Sequence, residues 1–312
     1  YDPINIRYAT DVGNMQVYSL HNPCRYVFVA VDGPVILFDF RGCEHLSDHS
    51  VVVDEVRVAR SWYHFNSGPR NHEHVALWAD EIDDLMRQHA SSNKRIAIDK
   101  LDPLGANKLT SLGYEIVEGQ EVAHLARMVK TPEEIISLKY SVAVCQQGMR
   151  NMRDASQPGN TEQHIWSQLH QTNIEFGGEW IETRLLTSGP RTNPWYQECS
   201  NRVVNAGDMI SVDSDLVGPH GYSADVSRSW IVGGEKPDDE QKLLYNLAFE
   251  QIQRNCELFK AGRSYRDIGK QGWQLPEPYL ANMQPAIAHG IGLCNEFPLI
   301  FNERYFETDG FD

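Results

Sequence analysis

The stretch Ser211-Val-Asp-Ser-Asp-Leu-Val-Gly-Pro-His-Gly-Tyr-Ser-Ala-Asp225 collects three aspartates around one turn. In an extended strand, residues two apart face the same side, so Asp213 and Asp215 point together with their Cα atoms about 7 Å apart. The turn at 218–221 sends the chain back, and the returning strand brings Asp225 beside them. Carboxylates crowded on one face raise one another's pKa unless a cation offsets the repulsion. A metal ion is the economical explanation of this crowding, and an exposed acidic hairpin is a common alternative that the spacing alone leaves open.

A histidine stands in a second informative stretch, Ala286-Ile-Ala-His-Gly-Ile-Gly-Leu-Cys-Asn-Glu296. Small and apolar residues surround His289, and the glycines after it let another backbone or a ligand come close. A lone buried histidine is more often a satisfied core residue, but its combination with the aspartates favours a ligand. Carboxylates with one imidazole suit Mn, Fe, Co or Zn. The predicted metal ligands are Asp213, Asp215, Asp225 and His289.

A third stretch, Leu185-Leu-Thr-Ser-Gly-Pro-Arg-Thr-Asn-Pro-Trp-Tyr196, has the composition of a stiff loop. Its two prolines and its glycine restrict the backbone and can hold side chains in fixed positions. Arg191 is predicted to clamp a substrate carboxylate, and Trp195 to pack on a substrate or face a cation. Tyr196 is placed with them as a substrate-binding residue. A surface loop anchored by its tryptophan is the alternative.

The remaining pattern predicts a mixed α/β chain of two domains. An Asp32-Gly33 turn between two β-rich runs predicts a hairpin, and apolar spacing predicts a helix from His74 to about His89. Thr131 with Glu134 forms a capping box for a long amphipathic helix, and further helices are expected to begin at 160–161 and 237–239. The domain boundary is therefore placed after Met128, giving domains 1–128 and 129–312.

Composition limits the possible partners. The chain has 312 residues with 28 basic and 43 acidic side chains, a formal net charge of −15. Such a charge repels nucleic acid and anionic membranes, and no apolar run is long enough to span a bilayer. The six cysteines contain no C-x-x-C pair, which favours reduced thiols in a cytoplasm. A small-molecule substrate is the expected partner.

These three stretches, in this order, resemble the pita-bread superfamily of creatinase, prolidase, Xaa-Pro aminopeptidase and methionine aminopeptidase. The resemblance implies a creatinase-like N-terminal domain, a pita-bread catalytic domain, two divalent metal ions and a homodimer. Asp225 and His289 match the second aspartate and the histidine of the ligand set, and the first aspartate falls on Asp213 or Asp215. The set also includes two glutamates, which are expected beyond residue 312. The resemblance thus implies that both domains are incomplete, the first lacking its start and the second its C-terminal part.

Within the superfamily, the chain looks like the dimethylsulfoniopropionate (DMSP) lyases of the DddP type. The similar segments are Asp2–Asp11, Gly178–Arg184, Ser188–Trp195 and the doubled aspartate. The resemblance implies a dinuclear metal centre, iron in that family, and β-elimination of DMSP to dimethyl sulfide and acrylate. Trp195 occupies the place of a substrate-contacting histidine of the peptidases, which argues against peptide cleavage. A tryptophan face suits a sulfonium or quaternary ammonium group.

Two positions depart from the lyase pattern. The family has an aspartate acting as base six residues after the metal histidine, and this chain has Asn295, whose amide cannot accept a proton. The neighbouring Glu296 is therefore considered with Asn295 as a catalytic position, although a conserved backbone would point it elsewhere. The tyrosine expected before the histidine is Gln284. Either the base has moved or the substrate differs.

Three functions are compared. The leading one is a metal-dependent enzyme of the DMSP-lyase type. The second is a C–N hydrolase of the prolidase, Xaa-Pro peptidase or creatinase type, and the third is a binding protein that keeps the fold without catalysis. The retained aspartates argue against the third.

Overall fold

The computed structural model describes residues 1–306, so the last six positions of the predicted second domain lie outside the described residues. The chain divides into two compact units, Tyr1–Val129 and Lys130–Asp312. Helices and strands are mixed in both units, and the α/β prediction is confirmed. No helix between residues 1 and 306 is both long and apolar enough to cross a membrane.

The first unit contains two small sheets and several helices. One sheet has the order β1-β2-β3, with an antiparallel β1–β2 hairpin and a parallel β2–β3 pair, and the other pairs β4 with β5 in parallel. The elements are α1 (Pro3–Thr10), α2 (Gln16–His21), β1 (Tyr26–Val29), β2 (Val35–Asp39), β3 (Glu55–Val58), α3 (His64–Ser67), α4 (Asn71–His89), β4 (Arg95–Ile98), α5 (Pro103–Ser111), β5 (Glu115–Glu118) and α6 (Gln120–Met128).

The predicted hairpin of the first unit is confirmed, since Tyr26 pairs with Phe38 and Val29 with Val35. The predicted helix is α4, which begins three residues earlier than expected, at Asn71. Its apolar side packs into a core with the sheet because Trp78 and Leu85 recur on one face and are almost fully buried.

Between residues 130 and 306, the second unit combines four α-helices with three short sheets. The sheets have the orders β11-β8-β7, β10-β9-β6 and β12-β13, and all their pairs are antiparallel. The elements are α7 (Pro132–Ala155), α8 (Glu162–Glu175), β6 (Trp180–Ile181), β7 (Leu186–Ser188), β8 (Met209–Val212), β9 (Leu216–Val217), β10 (Ser223–Ala224), β11 (Arg228–Ile231), α9 (Asp239–Cys256), α10 (Tyr265–Gln271), β12 (Ala286–Ile291) and β13 (Asn295–Phe301).

The core of the second unit lies between α7, α8 and the strands. Met152, Leu169 and Ile210 are fully buried in it. Gly148 brings the two helices together, because a Cβ atom at this position would lie 2.5 Å from the Leu169 side chain. The helix predicted to end near Gly262 ends at Cys256, after which short turns replace the helical hydrogen bonds.

The start of α7 provides a test of local stability. The Thr131 side chain accepts a hydrogen bond from the Glu134 N–H while the Glu134 carboxylate accepts one from the Thr131 N–H, so the predicted capping box is confirmed. Replacing Thr131 by alanine is expected to lower the free energy of unfolding by about 1 kcal/mol, measured by urea denaturation. Lys139→Ala, on an exposed face of the same helix, is the control and is expected to change stability by less than about 0.5 kcal/mol. Equal effects of the two variants would contradict the capping role.

Candidate metal and substrate site

The three aspartates lie where the chain passes from one sheet to another. Asp213 and Asp215 were expected on one continuous strand, which is wrong: β8 ends at Val212 and β9 begins at Leu216. The strand breaks because Asp215 has a positive φ of 37°. Asp225 lies in the corresponding gap between β10 and β11. Since β10 pairs with β9 and β11 with β8, the return of Asp225 beside the other two aspartates follows from the strand pairing.

Ser214 fixes this break from the inner side. Its side chain is fully buried, its hydroxyl donates to the Ala224 carbonyl at 2.9 Å, and it accepts from the Val226 N–H at 2.9 Å. These two hydrogen bonds involve the residues on either side of Asp225. They link the segment between β8 and β9 to the segment between β10 and β11. With Ser214 inside, Asp213 and Asp215 keep a common outward face.

Each outward carboxylate has its own hydrogen-bond donors. Ser227 Oγ donates to Asp213 Oδ1 at 2.7 Å, and Thr183 Oγ1 donates to Asp215 Oδ2 at 2.8 Å. The Asn295 side chain also donates to the Asp215 carboxylate. The residues of the site therefore lie at the ends of β6, β8, β10 and β13, strands that come from distant parts of the sequence.

His289 completes the group. Its Nδ1 lies 2.8 Å from the Gly290 carbonyl and its Nε2 lies 3.2 Å from Asp225 Oδ2. In the protonated ring, Nδ1–H donates to the Gly290 carbonyl and Nε2–H donates to the Asp225 carboxylate. Loss of the Nε2 proton would leave a lone pair in the same place while Nδ1–H stays bonded to the carbonyl, as in a metal-binding histidine. The predicted role of the following glycine is supported, because a Cβ at Gly290 would lie 2.5 Å from the Phe297 carbonyl oxygen.

The charges of the group are strongly coupled. Burial, followed by repulsion from Asp225, raises the pKa of Asp213 to about 7, and burial also raises the pKa of Asp215. The hydrogen bond with Asp225 raises the pKa of His289 to about 9 and lowers that of Asp225. Near neutral pH, the proton on His289 and partial protonation of Asp213 thus offset part of the negative charge of the carboxylates.

A divalent cation suits this donor set. Metal ligands must be deprotonated, so Asp213 and His289 would lose their protons on binding. The positive charge of a divalent ion would then replace the positive charge of those protons. Asp225 and His289 retain 19% and 30% side-chain exposure, so an ion can enter from solvent. Among residues 1–306, however, no three His, Cys, Asp or Glu side chains already converge as a metal site. The carboxylates and the imidazole instead form a hydrogen-bonded cluster with the chemistry of a divalent site.

The loop after β7 is held by a buried carboxylate. Glu162, at the start of α8, is fully buried and accepts hydrogen bonds from the N–H and hydroxyl groups of Ser188 and Ser200, at 2.7–2.9 Å. Arg191 forms an ion pair with the same carboxylate and donates to the Glu198 carbonyl. Its guanidinium is therefore occupied within the fold, which corrects the prediction that it clamps a substrate carboxylate.

Trp195 and Tyr196 lie at the far end of this loop. Trp195 is partly buried, Tyr196 is 66% exposed, and their ring centroids are 6.4 Å apart. The Tyr196 hydroxyl donates to Gln284 Oε1 at 3.0 Å, which ties the loop to the residues that precede β12. Both side chains remain candidates for substrate contact.

Glu296 does not face the aspartates. The side chain is 2% exposed, forms a 2.5 Å ion pair with Lys130, and accepts from the Leu293 N–H. Because a Cβ at Gly292 would lie 2.5 Å from this carboxylate, the glycine is needed for the turn to close over it. The inclusion of Glu296 among catalytic positions is corrected accordingly: it stabilises the β12–β13 turn. Asn295, in contrast, lies at the site.

Two residues at the site had no role assigned from the sequence, Glu182 and Thr183. Both follow β6, and the Glu182 N–H donates to the Asp215 carbonyl at 3.0 Å. Partial desolvation of the carboxyl and repulsion from Asp215 and Asp225 raise the pKa of Glu182. Both residues lie in the segment that carries the family resemblance, but only the β6–β9 pairing shows that they adjoin the aspartates.

The fold, with a group of carboxylates and one histidine, is of the kind seen in metallopeptidases. The sequence pattern of metallopeptidase family M24 matches residues 137–309, and the chain belongs to this family. The prolidase from Pyrococcus furiosus superposes with a TM-score of 0.74 at 18% identity, over 96% of this chain and 81% of the prolidase, a similarity of fold.

Two relatives are more similar in sequence. "Dimethylsulfoniopropionate lyase DddP" of Roseovarius nubinhibens and the protein of the same name from Roseobacter denitrificans are each 38% identical to this chain over 305 residues. In both cases the alignment covers 96% of this chain and 68% of the relative. The resemblance to the pita-bread superfamily and its DddP-type lyases is thereby confirmed.

Proposed function

We propose that the protein carrying this chain is a metal-dependent lyase that eliminates dimethyl sulfide from DMSP and leaves acrylate. The observation that carries the proposal is the 38% identity to two DMSP lyases over 96% of the chain. The side chains support it: the carboxylates and His289 have the chemistry of a divalent metal site, and the loop after β7 carries the partly buried Trp195 and the exposed Tyr196, whose rings suit a cationic substrate.

The residues of the site divide into two roles. Asp213, Asp215, Asp225 and His289 would hold two divalent ions, with Fe, Mn, Zn and Co as candidates. Such ions supply Lewis acidity that polarises the substrate carboxylate and makes the neighbouring carbon more acidic. Trp195 would face the sulfonium, and the hydrogen bonds of Thr183 and Ser227 hold the aspartates in place.

A direct comparison of substrates tests the proposal. Full-length protein loaded with Fe, Mn or Zn is incubated in parallel with DMSP and with an Xaa-Pro dipeptide. The proposal predicts dimethyl sulfide from the first and no proline from the second. Proline release without dimethyl sulfide would instead support a C–N hydrolase, the alternative favoured by the prolidase fold. A protein that retains no metal would support a binding role.

The tryptophan can be tested separately. A cation on an aromatic face gains about 0.5–2 kcal/mol, so Trp195→Leu is expected to raise KM for DMSP between about 2- and 30-fold, with a smaller change in kcat. The matched control is inhibition by 4-methylpentanoate, in which an uncharged carbon replaces the sulfonium. Its inhibition constant is expected to change less than about threefold. Equal losses for both compounds would show that Trp195 provides only apolar contact.

We also propose the identity of the two domains, the cellular compartment and the oligomeric state. The unit Tyr1–Val129 would be the creatinase-like domain and the unit from Lys130 the pita-bread domain. All six cysteines are free thiols, which supports a reducing cytoplasm. A homodimer rests on the family resemblance, and a sedimentation measurement on the full-length protein would test it.

A further inference from the structure

The proposed elimination requires a side chain that accepts a proton from carbon, and several groups at the site are unsuited to this. Asn295 carries an amide, which does not accept a proton at neutral pH. The Glu296 carboxylate is buried in its ion pair with Lys130. The Tyr196 hydroxyl is already a donor to Gln284. The predicted metal ligands are occupied by hydrogen bonds with His289, Ser227 and Thr183.

Glu182 is differently placed. Strand β6 runs antiparallel to β9, with Trp180 opposite Val217 and Ile181 opposite Leu216. The hydrogen bond from the Glu182 N–H to the Asp215 carbonyl extends this register by one residue, so Glu182 lies opposite Asp215. Opposite residues of an antiparallel pair have Cβ atoms about 4.5–5.5 Å apart when they share a face.

Burial indicates which way the Glu182 side chain points. Ile181 and Leu216 are 3% and 0% exposed, so this pair points into the core. Side chains alternate along β6, so Glu182 points to the face opposite Ile181, away from this core. The exposure of Glu182 agrees with this. The Glu182 side chain is therefore open to solvent, on the residue that is hydrogen-bonded through its backbone to Asp215.

The carboxylate of Glu182 is also available. Among residues 1–306, no backbone or side-chain group donates a hydrogen bond to it, whereas the Asp215 carboxylate accepts from Thr183 and Asn295. Glu182 and Asn295 thus both adjoin Asp215, and of these two only Glu182 can accept a proton. A general base must have a carboxylate that is free to accept a proton and that lies next to the bound substrate, and the position of Glu182 beside Asp215 meets this requirement.

We propose that Glu182 is the catalytic base of this enzyme, a role that rests on the proposed DMSP lyase function. Its carboxylate takes a proton from the carbon next to the substrate carboxylate. The electrons of that C–H bond form the new carbon–carbon double bond, and the carbon–sulfur bond breaks with its pair leaving on dimethyl sulfide. Acrylate remains, and Glu182 returns the proton to water.

The test compares variants of the full-length, metal-loaded protein. Glu182→Gln keeps the shape but removes the acceptor, and kcat for dimethyl sulfide release is expected to fall by about 10²–10⁴-fold. The amount of bound Mn²⁺ is expected to stay unchanged, because Glu182 is not among the predicted ligands. Glu179→Gln, an exposed glutamate just before β6, is the matched control and is expected to stay within about twofold of the parent.

A second substitution separates a base from a structural residue. Adding Asn295→Asp to Glu182→Gln returns a carboxylate beside Asp215 and is expected to recover at least about tenfold in kcat. Parent-like kcat in Glu182→Gln, loss of Mn²⁺ along with activity, or failure of Asn295→Asp to restore any activity would overturn the assignment. A parent protein that releases no dimethyl sulfide would overturn the proposed function, and the role of Glu182 with it.

Discussion

Replacing Asp225 by alanine is expected to weaken the binding of Mn²⁺ to the full-length protein by more than about 100-fold. Asp225 contacts two of the other predicted ligands. Its carboxylate lies 3.2 Å from His289 Nε2, and it shares a hydrogen bond with Asp213. Loss of a residue that only orients a ligand costs about 10–100-fold in metal affinity, and loss of a ligand itself should exceed that. Calorimetric titration of the two proteins with Mn²⁺ measures the difference.

The control for this experiment is Asp239→Ala. Asp239 is fully exposed at the start of α9, and its ion pair with Lys242 lies on the surface. Replacing Asp239 by alanine removes one negative charge from the protein, as Asp225→Ala does, but leaves the carboxylates of the predicted metal site unchanged. We expect an unchanged dissociation constant. If Asp225→Ala binds Mn²⁺ as tightly as Asp239→Ala does, the ion is held elsewhere and the predicted ligand set is wrong.

Glu162→Ala is expected to lower the free energy of unfolding by about 3–5 kcal/mol. The substitution removes a fully buried carboxylate and leaves Ser188, Ser200 and Arg191 without their acceptor. Arg191 keeps its hydrogen bond to the Glu198 carbonyl but loses its ion pair, and the loss of this pair together with the acceptor of the Ser188 and Ser200 donors accounts for the size of the effect. Urea denaturation monitored by tryptophan fluorescence measures it. Glu198→Ala, which removes the exposed ion pair with Arg184, is the control and is expected to cost at most about 1 kcal/mol.

The effect of Glu162 is expected to depend on pH. Burial by itself raises the pKa of this carboxyl, but the hydrogen bonds from Ser188, Ser200 and Arg191 outweigh it and lower the pKa below its usual value. A depressed pKa stabilises the fold above the pKa of the unfolded chain, about 4.3, and this contribution is lost as the pH falls through the folded value. The gap in stability between parent and Glu162→Ala should therefore narrow below about pH 4. A gap that widens on acidification would contradict this assignment.

Local signals in the sequence predict much of the second unit. The capping box at Thr131 and the apolar spacing after it give α7, and Thr161 gives the start of α8, because these features depend only on neighbouring residues. In the first unit, helices such as α1 and α5 were not predicted. Both begin with an Asp-Pro cap, at 2–3 and 102–103, so their starts too are marked by neighbouring residues.

Local signals do not predict the contacts of the site, because those contacts join residues that are distant in sequence. Asp213, Asp215, Asp225 and His289 were chosen for their chemistry, and strand pairing then brings them together. Arg191 and Glu296 could not be judged in the same way. Their partners, Glu162 and Lys130, are distant in sequence, and burial decides whether a charged group faces a substrate or another side chain. The same holds for Glu182, because its neighbour Asp215 lies on another strand and is distant in sequence.

The most direct measurement is the product balance of one reaction in D₂O. Full-length, metal-loaded protein is given DMSP, and dimethyl sulfide in the headspace and acrylate in solution are quantified together. β-Elimination predicts the two products in equal amounts, with no deuterium on the acrylate carbons unless proton removal is reversible. Dimethyl sulfide without acrylate, or the absence of both while an Xaa-Pro dipeptide is hydrolysed, would contradict the assignment of this site to a lyase.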